Sequence, residues 1–307
     1  MPAAGNYSAA EVRAAIGMPA AVDAVREAFA DLAAGHFSQP PRLVFGTDDQ
    51  AVLVMTAHHA PSGAAVVKTA GVVLDRDPAI VATLVWTDDG GQLTAEAGAV
   101  TALRTGAVAG VATDLLAAPG ATGLALLGAG AQAADQVRAV LAVRDIRDLS
   151  VWNRSPRRVG PLLDTLATEF PHVRVRVAEN AADAVAAADA VCCATSSPDP
   201  LFELSALPER VHVNAIGSFR PSMRELPAEL LGTASVVLVD QFAAAGEAGE
   251  IRHALDTGLL RRGDVLELGD ALSAPPEAKG RTVFKSVGVA AQDWAVARLL
   301  AQHSRRR

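Results

Sequence analysis

The chain has 307 residues, of which half are hydrophobic and a fifth are charged, and its formal net charge at pH 7 is −7. This length allows two domains with separate cores, and the acidic balance argues against a nucleic acid or an anionic membrane as partner. Because no run of about 18 apolar residues lacks helix breakers and the N-terminal residues show no signal-peptide pattern, we expect a cytoplasmic protein without membrane contact.

The N-terminal third of the chain mixes helical and strand-like segments. Residues 10–34 predict one helix, and residues 99–116 predict a second helix rich in small side chains. Strand-like runs, separated by clusters of Pro, Gly and Asp, occupy residues 43–45, 51–57, 64–74 and 80–87. The tripeptide Ala118-Pro119-Gly120 is typical of a hinge. We therefore predict an α+β domain over residues 1–118.

Lys68 is one of only three lysines in the chain, and it lies in the apolar run 64–73. An unpaired ammonium group buried in such a strand would be costly. One interpretation is that the side chain reaches outward to solvent. The other is that Lys68 faces a polar cleft, where a lowered pKa would let it donate a proton or polarise a carbonyl or imine.

Arg104 lies among small, mostly apolar residues in the run 100–107. A guanidinium group in these surroundings suits the two-pronged binding of a substrate carboxylate. The alternative is an ion pair with an acid such as Asp114 or Glu96. Arg42, which follows two prolines, is a second candidate for carboxylate binding, although arginines in exposed loops are common.

Residues 123–133, Gly-Leu-Ala-Leu-Leu-Gly-Ala-Gly-Ala-Gln-Ala, predict a buried strand, a glycine-rich loop and the start of a helix. Gly128 permits a tight turn, Gly130 lets a pyrophosphate approach the backbone, and Ala131 and Gln132 lead into a helix whose N-terminus would face the phosphates. The alternative is a strand–turn–helix without a ligand. A second strand at 149–152, where a βαβ unit requires it, favours a dinucleotide site.

Asn153, Arg154 and Ser155 follow that second strand, where enzymes that use NAD usually carry an acid for the ribose 2′-hydroxyl. Arg154 can bind a 2′-phosphate or stack on adenine, Ser155 can donate a hydrogen bond, and Asn153 avoids the repulsion of a carboxylate. The alternative is a solvated basic loop. The sequence therefore predicts NADP(H) as the cofactor.

The remainder of the chain alternates strands and helices. Further strands are predicted at 173–177, 190–195, 212–216 and 236–240. Residues 119–288 therefore predict a Rossmann-type, doubly wound parallel sheet. A final helix at 287–302 returns to the first domain, so residues 289–307 complete it. The predicted fold class is α/β with an additional α+β domain.

Cysteines and histidines suggest neither a disulfide nor a metal site. Cys192 and Cys193 are adjacent in an apolar strand, so they would point to opposite faces as buried free thiols. The seven histidines show no ligand spacing, and the neighbours His58 and His59 cannot converge on one ion. We predict no metal.

Several segments together resemble the ornithine cyclodeaminase/mu-crystallin family, and their order and spacing cover nearly the whole chain. They are the Lys68 strand, residues 101–107, 123–133, 151–155, 214–218 with 223–226, 247–250, and 284–288 with Gln292 and Asp293. The family includes cyclodeaminases, alanine dehydrogenases and ketimine or Δ1-pyrroline-2-carboxylate reductases, which combine a nicotinamide cofactor with a small amino or imino acid.

The resemblance implies roles for individual residues. It implies that Arg42 and Arg104 hold the substrate carboxylate, that Lys68 lies beside the reacting carbon, and that the first domain forms a homodimer through its sheet. Met55 and Phe219 are assigned to the substrate site. The nicotinamide pocket is implied at Thr195, Ser196, Ile216, Gly217 and Gly288.

Phe219 stands where the cyclodeaminases carry an aspartate that handles the substrate amine. Without that carboxylate, we predict an NADPH-dependent reductase of a small cyclic α-imino acid, such as Δ1-pyrroline-2-carboxylate, that yields an L-amino acid. Two alternatives within the family are an ornithine cyclodeaminase and an alanine-dehydrogenase-like enzyme. An alternative of another class is a non-catalytic, NADPH-gated binding protein for small molecules.

Overall fold

The computed structural model describes residues 5–47, 50–73, 80–246 and 248–306. Leu74 of the predicted strand 64–74 and Glu247 of the segment 247–250 lie outside these ranges. The chain divides into two units, of which one comprises Met1–Val108 with Val289–Arg307 and the other Ala109–Gly288. The division falls inside a helix, whereas the predicted boundary at residue 118 follows that helix.

The secondary structure is as follows. The strands are β1 Gly5–Tyr7, β2 Phe37–Ser38, β3 Leu43–Gly46, β4 Gln50–His59, β5 Ala64–Val73, β6 Ile80–Asp88, β7 Gly91–Glu96, β8 Gly123–Leu127, β9 Asp148–Trp152, β10 Arg174–Val177, β11 Ala190–Cys193, β12 Val211–Ala215, β13 Val236–Val239, β14 Val265–Glu267 and β15 Arg281–Lys285. The α-helices are α1 Ala9–Ala15, α2 Met18–Ala33, α3 Ala97–Leu116, α4 Ala133–Val143, α5 Val159–Glu169, α6 Ala181–Val185, α7 Ala228–Thr233, α8 Phe242–Ala245, α9 Gly249–Asp256, α10 Leu268–Ser273 and α11 Ala290–Arg305.

The first unit contains a seven-stranded sheet in the order β1-β7-β6-β5-β4-β2, with β3 also paired to β4. The described pairings are antiparallel except that of β1 with β7. Helix α11 contacts α2 and the strands β4, β5 and β6. Alternate residues of β5 are buried, and Lys68 is one of them. The sheet therefore directs Lys68 toward its buried face.

The predicted single helix 10–34 is wrong in one respect, because the structure has two helices there. Helix α1 ends at Ala15, Gly17 caps the start of α2, and Pro19 lies in the first turn of α2. Proline has no backbone N–H to donate to the preceding turn, so one helix cannot continue through this point. Strands β1, β2 and β7, which are short or rich in polar residues, were not predicted.

The second unit contains an eight-stranded sheet in the order β10-β9-β8-β11-β12-β15-β13-β14. Its described strand pairs are all parallel. Apolar residues fill both faces: Leu124 and Leu126 join one cluster, whereas Ala125 and Leu127 join another. A parallel sheet covered on both faces is the doubly wound arrangement, which confirms the predicted fold class.

Strand β15 lies between β12 and β13 but was missed by the sequence interpretation. It begins and ends with a cation, so it does not have the uniformly apolar pattern of a buried strand. The guanidinium of Arg281 donates to the Leu207 and Pro208 carbonyls, and Lys285 is buried in a polar network. Long-range partners therefore allow this strand to occupy the interior of the sheet.

The adjacent cysteines behave as predicted. Cys192 and Cys193 are free and fully buried, and they belong to the two opposite clusters of the sheet. Among the described helices, α3 is long and apolar enough to cross a membrane, but 83% of that stretch is buried inside the protein. Such burial is typical of a core helix.

Candidate functional site

The glycine-rich loop after β8 is shaped by close backbone contacts. Gly128 has φ +111°, and its N–H donates to the Trp152 carbonyl at 2.8 Å. A Cβ at this position would lie 2.5 Å from the Ala194 carbonyl oxygen, so both the conformation and the space require glycine. The loop thus brings the carboxyl ends of β8, β9 and β11 together.

The same loop has the features that a pyrophosphate needs. A Cβ on Gly130 would meet no atom within 4 Å, and Gly130 and Ala131 are exposed, so their backbone can be approached. Gln132, at the start of α4, has a buried Oε1 without a hydrogen-bond partner. An exposed glycine turn at a helix N-terminus and an unsatisfied amide beside it fit a bound dinucleotide.

Asn153 supports this loop. Its Oδ1 accepts a hydrogen bond from the Ala129 N–H at 3.0 Å, and its Nδ2 donates to the Ser155 carbonyl at 2.7 Å. The amide therefore joins the loop after β8 to the loop after β9. Arg154 is exposed at the end of β9, and Ser155 is half-buried. The guanidinium is thus left facing solvent beside the glycine-rich loop.

Glu225 organises the loops that follow β11 and β12, a role the sequence interpretation did not assign. Its Oε1 accepts from the N–H of Thr195 at 2.6 Å and from the Thr195 hydroxyl at 2.9 Å. Its Oε2 accepts from the N–H groups of Gly217 at 2.8 Å and Ser218 at 3.2 Å. Burial raises the pKa of Glu225, and the nearby Lys285 opposes that rise.

Two of the residues predicted to line the nicotinamide pocket therefore donate hydrogen bonds to the same carboxylate, that of Glu225. Thr195 and Gly217 are held together by Glu225, and a Cβ on Gly217 would lie 2.1 Å from the Thr195 carbonyl oxygen. Ile216, between Gly217 and β12, is buried, whereas Ser196 is exposed. Phe219, which follows Ser218, is half-buried with the Arg220 guanidinium 5.5 Å from its ring.

A buried polar network lies behind these loops. The ammonium of Lys285 donates to the Ser218 carbonyl at 2.6 Å and to the Ser218 hydroxyl. Oε1 of Glu250 accepts from that hydroxyl at 2.5 Å and from the Glu225 N–H at 2.6 Å. Because the side chains of Lys285 and Glu250 are completely buried, this network fixes the loop backbone rigidly.

Asp240 plays a similar part at the end of β15. Its Oδ2 accepts from the Ser286 hydroxyl at 2.8 Å and from the N–H groups of Val287 at 2.9 Å and Gly288 at 2.7 Å. The predicted pocket residue Gly288 is therefore held by a carboxylate from the end of β13. Asp240 is another residue that the sequence interpretation missed.

In the first unit, Lys68 is 4% exposed and forms a buried ion pair. Its Nζ donates to Asp293 Oδ1 of helix α11 at 2.8 Å. Met55, a predicted substrate residue, is the cross-strand neighbour of Lys68 and is also buried. The alternative in which Lys68 reaches outward to solvent is therefore wrong.

Arg104 belongs to the same buried cluster of charged side chains as Lys68 and Asp293. Its Nε lies 3.4 Å from Asp293 Oδ1, and its Nη1 donates to Gln292 Oε1. Arg104 therefore does pair with an acid, as the alternative interpretation expected, but that acid is Asp293, and the two acids named from the sequence are engaged otherwise. Glu96 accepts from the N–H groups of Gly98 and Ala99 at the start of α3, and Asp114 pairs with Arg144 at 2.9 Å.

The surroundings of Lys68 tune its acidity. Burial lowers the pKa of Lys68 from 10.5 to about 8, against the opposing effect of Asp293, and the charges of Arg104 and Arg42 lower it further. Arg42 thus acts electrostatically on the same group. A lysine with this pKa can give or take a proton near neutral pH.

Four acidic residues central to these arrangements were not assigned roles from sequence: Asp293, Glu225, Glu250 and Asp240. Each is at most 1% exposed. An acidic residue within an apolar stretch of sequence could have indicated such a role, because a carboxylate that becomes buried needs a partner. Their partners come from distant segments, so sequence spacing alone does not identify them.

Comparison with known proteins places the chain in a family. The model of the ornithine cyclodeaminase/mu-crystallin family matches residues 6–306. A Δ1-pyrroline-2-carboxylate reductase of Bacillus cereus is 38% identical over 213 residues, which cover 67% of this chain and 64% of that protein. The match thus spans slightly less than two thirds of that relative's length. An L-lysine cyclodeaminase of Streptomyces rapamycinicus is 34% identical over 290 residues, or 89% of this chain and 82% of that protein.

Solved structures agree with the family match. The Δ1-pyrroline-2-carboxylate reductase of Thermococcus litoralis, in complex with NADH and L-proline, has a TM-score of 0.93 and 25% identity, with 98% of this chain and 97% of that chain covered. An archaeal alanine dehydrogenase dimer with bound NAD has a TM-score of 0.89 and 26% identity, with coverages of 99% and 96%. The chain belongs to the ornithine cyclodeaminase/mu-crystallin family, as its sequence motifs predict.

Proposed function

We propose that the protein is an NADPH-dependent reductase of a small cyclic α-imino acid, with Δ1-pyrroline-2-carboxylate as the representative substrate and an L-amino acid as the product. The observation that carries this proposal is the buried group of Lys68, Asp293 and Arg104. It combines a lysine of lowered pKa with a guanidinium, which are the groups that protonation of an imine and binding of a carboxylate require.

The charge of this group favours an anionic substrate. Lys68, Arg104 and Arg42 are cationic, and Asp293 is the one carboxylate among the groups that act strongly on Lys68. The excess positive charge would attract the carboxylate of an imino acid. Arg104, with Arg42, would orient that carboxylate, and Met55 would contact the apolar ring.

Reduction of an imine adds a hydride to carbon and a proton to nitrogen. A bound nicotinamide would supply the hydride. Lys68 Nζ would supply the proton to the imine nitrogen, directly or through water, and Asp293 would keep the ammonium protonated until transfer. Orientation of the substrate by Arg104 would contribute much of the rate acceleration.

The second unit would hold the cofactor. Gly128 would shape the turn and Gly130, Ala131 and Gln132 would face the pyrophosphate, while the Glu225 and Asp240 networks would position the nicotinamide pocket. The exposed guanidinium of Arg154 and the absence of an acid at 153–155 favour a 2′-phosphate, so we propose NADPH over NADH. Asn153 would contribute by holding the loop.

A cyclodeaminase is the second candidate, since the lysine cyclodeaminase of Streptomyces rapamycinicus aligns with 89% of this chain. Phe219 argues against it, because a phenyl ring can neither accept a proton from a substrate ammonium nor form an ion pair with it. The similarity to the archaeal alanine dehydrogenase makes an amino acid dehydrogenase a further candidate within the family.

A second copy of this chain is the proposed protein partner. Strand β3 exposes three large apolar side chains, Leu43 at 64%, Val44 at 59% and Phe45 at 57%. Val52 on its neighbour β4 and Val81 on β6, farther along the same sheet, are also exposed. Apolar groups clustered on a sheet are typical of a protein interface. The archaeal alanine dehydrogenase is described as a dimer. A cytoplasmic location is part of the proposal and agrees with the two free, buried cysteines.

The decisive assay mixes the purified protein with Δ1-pyrroline-2-carboxylate or its six-membered homologue and follows NADPH consumption and formation of the amino acid. We expect turnover of at least one of the two imines, with L-proline or L-pipecolate as product. Tight NADPH binding without turnover of either imine would favour the non-catalytic binding protein. Ammonia release from ornithine or lysine would favour the cyclodeaminase.

A further inference from the structure

The first unit contains a cluster of metal-ligating side chains that the proposed reaction does not use. Asp31 lies near the end of α2, His36 in the turn that follows, and His59 at the end of β4. One ligand atom from each residue lies within 4.8 Å of the other two. His36 Nδ1 is 3.1 Å from Asp31 Oδ1, and His59 Nε2 is 3.3 Å from Asp31 Oδ2.

Backbone hydrogen bonds hold the three residues in this arrangement. The His36 N–H donates to the Asp31 carbonyl at 2.9 Å, and the Ala60 N–H donates to the His36 carbonyl at 2.9 Å. Phe37, next to His36, is the cross-strand neighbour of His59 in the pairing of β2 with β4. The positions of the ligands are therefore set by secondary structure.

His59 presents an unsatisfied nitrogen to Asp31. The residue is 7% exposed, and its Nε2 makes no hydrogen bond. His59 Nδ1 lies 2.9 Å from Ser62 Oγ, which also accepts from the Ala64 N–H at 3.3 Å. Ser62 thus holds Nδ1, and the other ring nitrogen, Nε2, faces the carboxylate of Asp31, where a cation between the two could bind both.

The distances suit a small divalent cation. With zinc–ligand bonds of about 2.0–2.1 Å, the ligand atoms of a tetrahedral site lie about 3.3 Å apart. His36 Nδ1 lies 3.1 Å from Oδ1 of Asp31 and His59 Nε2 lies 3.3 Å from Oδ2, so each imidazole has one carboxylate oxygen at close to this spacing. The remaining distance, between the two imidazole nitrogens, can shorten by rotation of His36, whose side chain is 45% exposed.

We propose that Asp31, His36 and His59 form a site for a divalent transition-metal ion of the zinc type. Two imidazoles and one carboxylate are a known zinc ligand set, and the partial exposure of His36 and Asp31 leaves the fourth position to water. The expectation of no metal considered only spacing along the sequence, whereas the fold brings these ligands together from a helix, a turn and a strand.

The packing around His59 indicates what the ion does. The His59 ring contacts Trp294 of α11, with centroids 4.5 Å apart, and Phe37 at 4.8 Å. Arg298, whose guanidinium lies 5.2 Å from the Trp294 ring, is paired with Glu27 at 2.6 Å. A metal ion would therefore link the end of α2 to β4 beneath α11, which stabilises the fold of this unit.

The test uses untagged protein freed of metal with a chelator. Zinc chloride is titrated by calorimetry, cobalt(II) chloride is followed by visible absorption, and thermal unfolding is recorded with and without zinc. Variants are Asp31→Asn, His36→Ala and Ser62→Ala, with His58→Ala as the matched control because His58 is the exposed neighbour of His59.

We expect one equivalent of zinc to bind, the strong visible bands of tetrahedral cobalt to appear, and the unfolding temperature to rise. Ser62→Ala should weaken binding about 10- to 100-fold, as loss of a group that orients a ligand does, and His36→Ala and Asp31→Asn should weaken it by more. His58→Ala should match the native protein. Absence of binding to the native protein, or equal binding by His36→Ala, would show an Asp–His ion pair only and overturn the proposal.

Discussion

Replacement of Asp293 by Asn tests whether this carboxylate maintains the proton on Lys68. Asp293 Oδ1 lies 2.8 Å from Lys68 Nζ, and the side chains are 0% and 5% exposed. The substitution keeps the size of the side chain and removes its charge. Lys68 would then share its buried environment with the cations Arg104 and Arg42 and without its acidic partner.

The magnitude follows from the pKa of Lys68, which is about 8 in the native protein. Loss of an opposite charge at contact distance lowers a lysine pKa by about 1–3 units, so we expect a value of about 5–7 in the variant. For a fall of about 2 units, the protonated fraction at pH 7 drops from about 90% to about 10%. If Lys68 is the proton donor, kcat at pH 7 falls about tenfold.

The measurement is the pH dependence of kcat for reduction of Δ1-pyrroline-2-carboxylate with NADPH. In the native enzyme, kcat should decline as the pH rises through about 8, because the ammonium is lost. In Asp293→Asn, this decline should move to lower pH, while the NADPH dissociation constant stays unchanged. Asp145→Asn is the control, since Asp145 pairs with Arg147 at 2.7 Å on an exposed surface.

An Asp293→Asn enzyme whose kcat still declines near pH 8 would refute this reasoning. The proton on Lys68 would then not depend on Asp293. Loss of activity at every pH, together with a lowered unfolding temperature, would instead indicate structural damage. In that case Lys68→Ala decides the question, because native turnover by that variant would exclude Lys68 as the proton donor.

The other predictions concern separate parts of the chain. NADPH should bind at least about tenfold more tightly than NADH, or about 1.4 kcal/mol, and Arg154→Ala should remove most of this difference in titrations of the two cofactors; equal native affinities would contradict it. Arg104→Ala should raise KM for the imine strongly while NADPH affinity is retained, and an unchanged KM would remove Arg104 from the carboxylate site. Ornithine should yield no ammonia with the native enzyme, whereas release of ammonia would show that Phe219 does not prevent cyclodeamination. Burial lowers the pKa of His212 to about 4, so the unfolded chain takes up its proton first as the pH falls below about 6.5, and the free energy of unfolding should drop by about 2 kcal/mol between pH 7 and pH 5; urea unfolding should show this drop, and a smaller one in His212→Gln.

Local sequence patterns identified six of the eight strands of the sheet in the second unit. The strand, glycine-rich loop and helix at 123–133 were predicted from residues that are adjacent in the chain, and Gly128 meets the predicted need for a tight turn. Continuous apolar runs identified most strands of the parallel sheet, because both faces of such a sheet are buried. Strand β15 escaped notice because its terminal cations are neutralised or hydrogen-bonded only by residues distant in sequence.

The candidate reaction group depended more on tertiary structure. The scarcity of lysine and the apolar run around Lys68 made that residue conspicuous, but both outward and cleft-facing orientations were consistent with the sequence. The choice was made by Asp293, which follows Lys68 by 225 positions and meets it only because α11 packs on the sheet. The same holds for Glu225, which joins two loops that are separate in the chain.

The sequence by itself therefore determined the fold class, most strands of the parallel sheet, the glycine-rich loop and the family, since these depend on backbone preferences and on motifs of neighbouring residues. Tertiary structure decided which charges are paired, how the pKa of Lys68 is shifted, and which histidines meet Asp31. Burial and Coulomb interactions depend on distances in space, and a chain can bring residues from any two positions into contact.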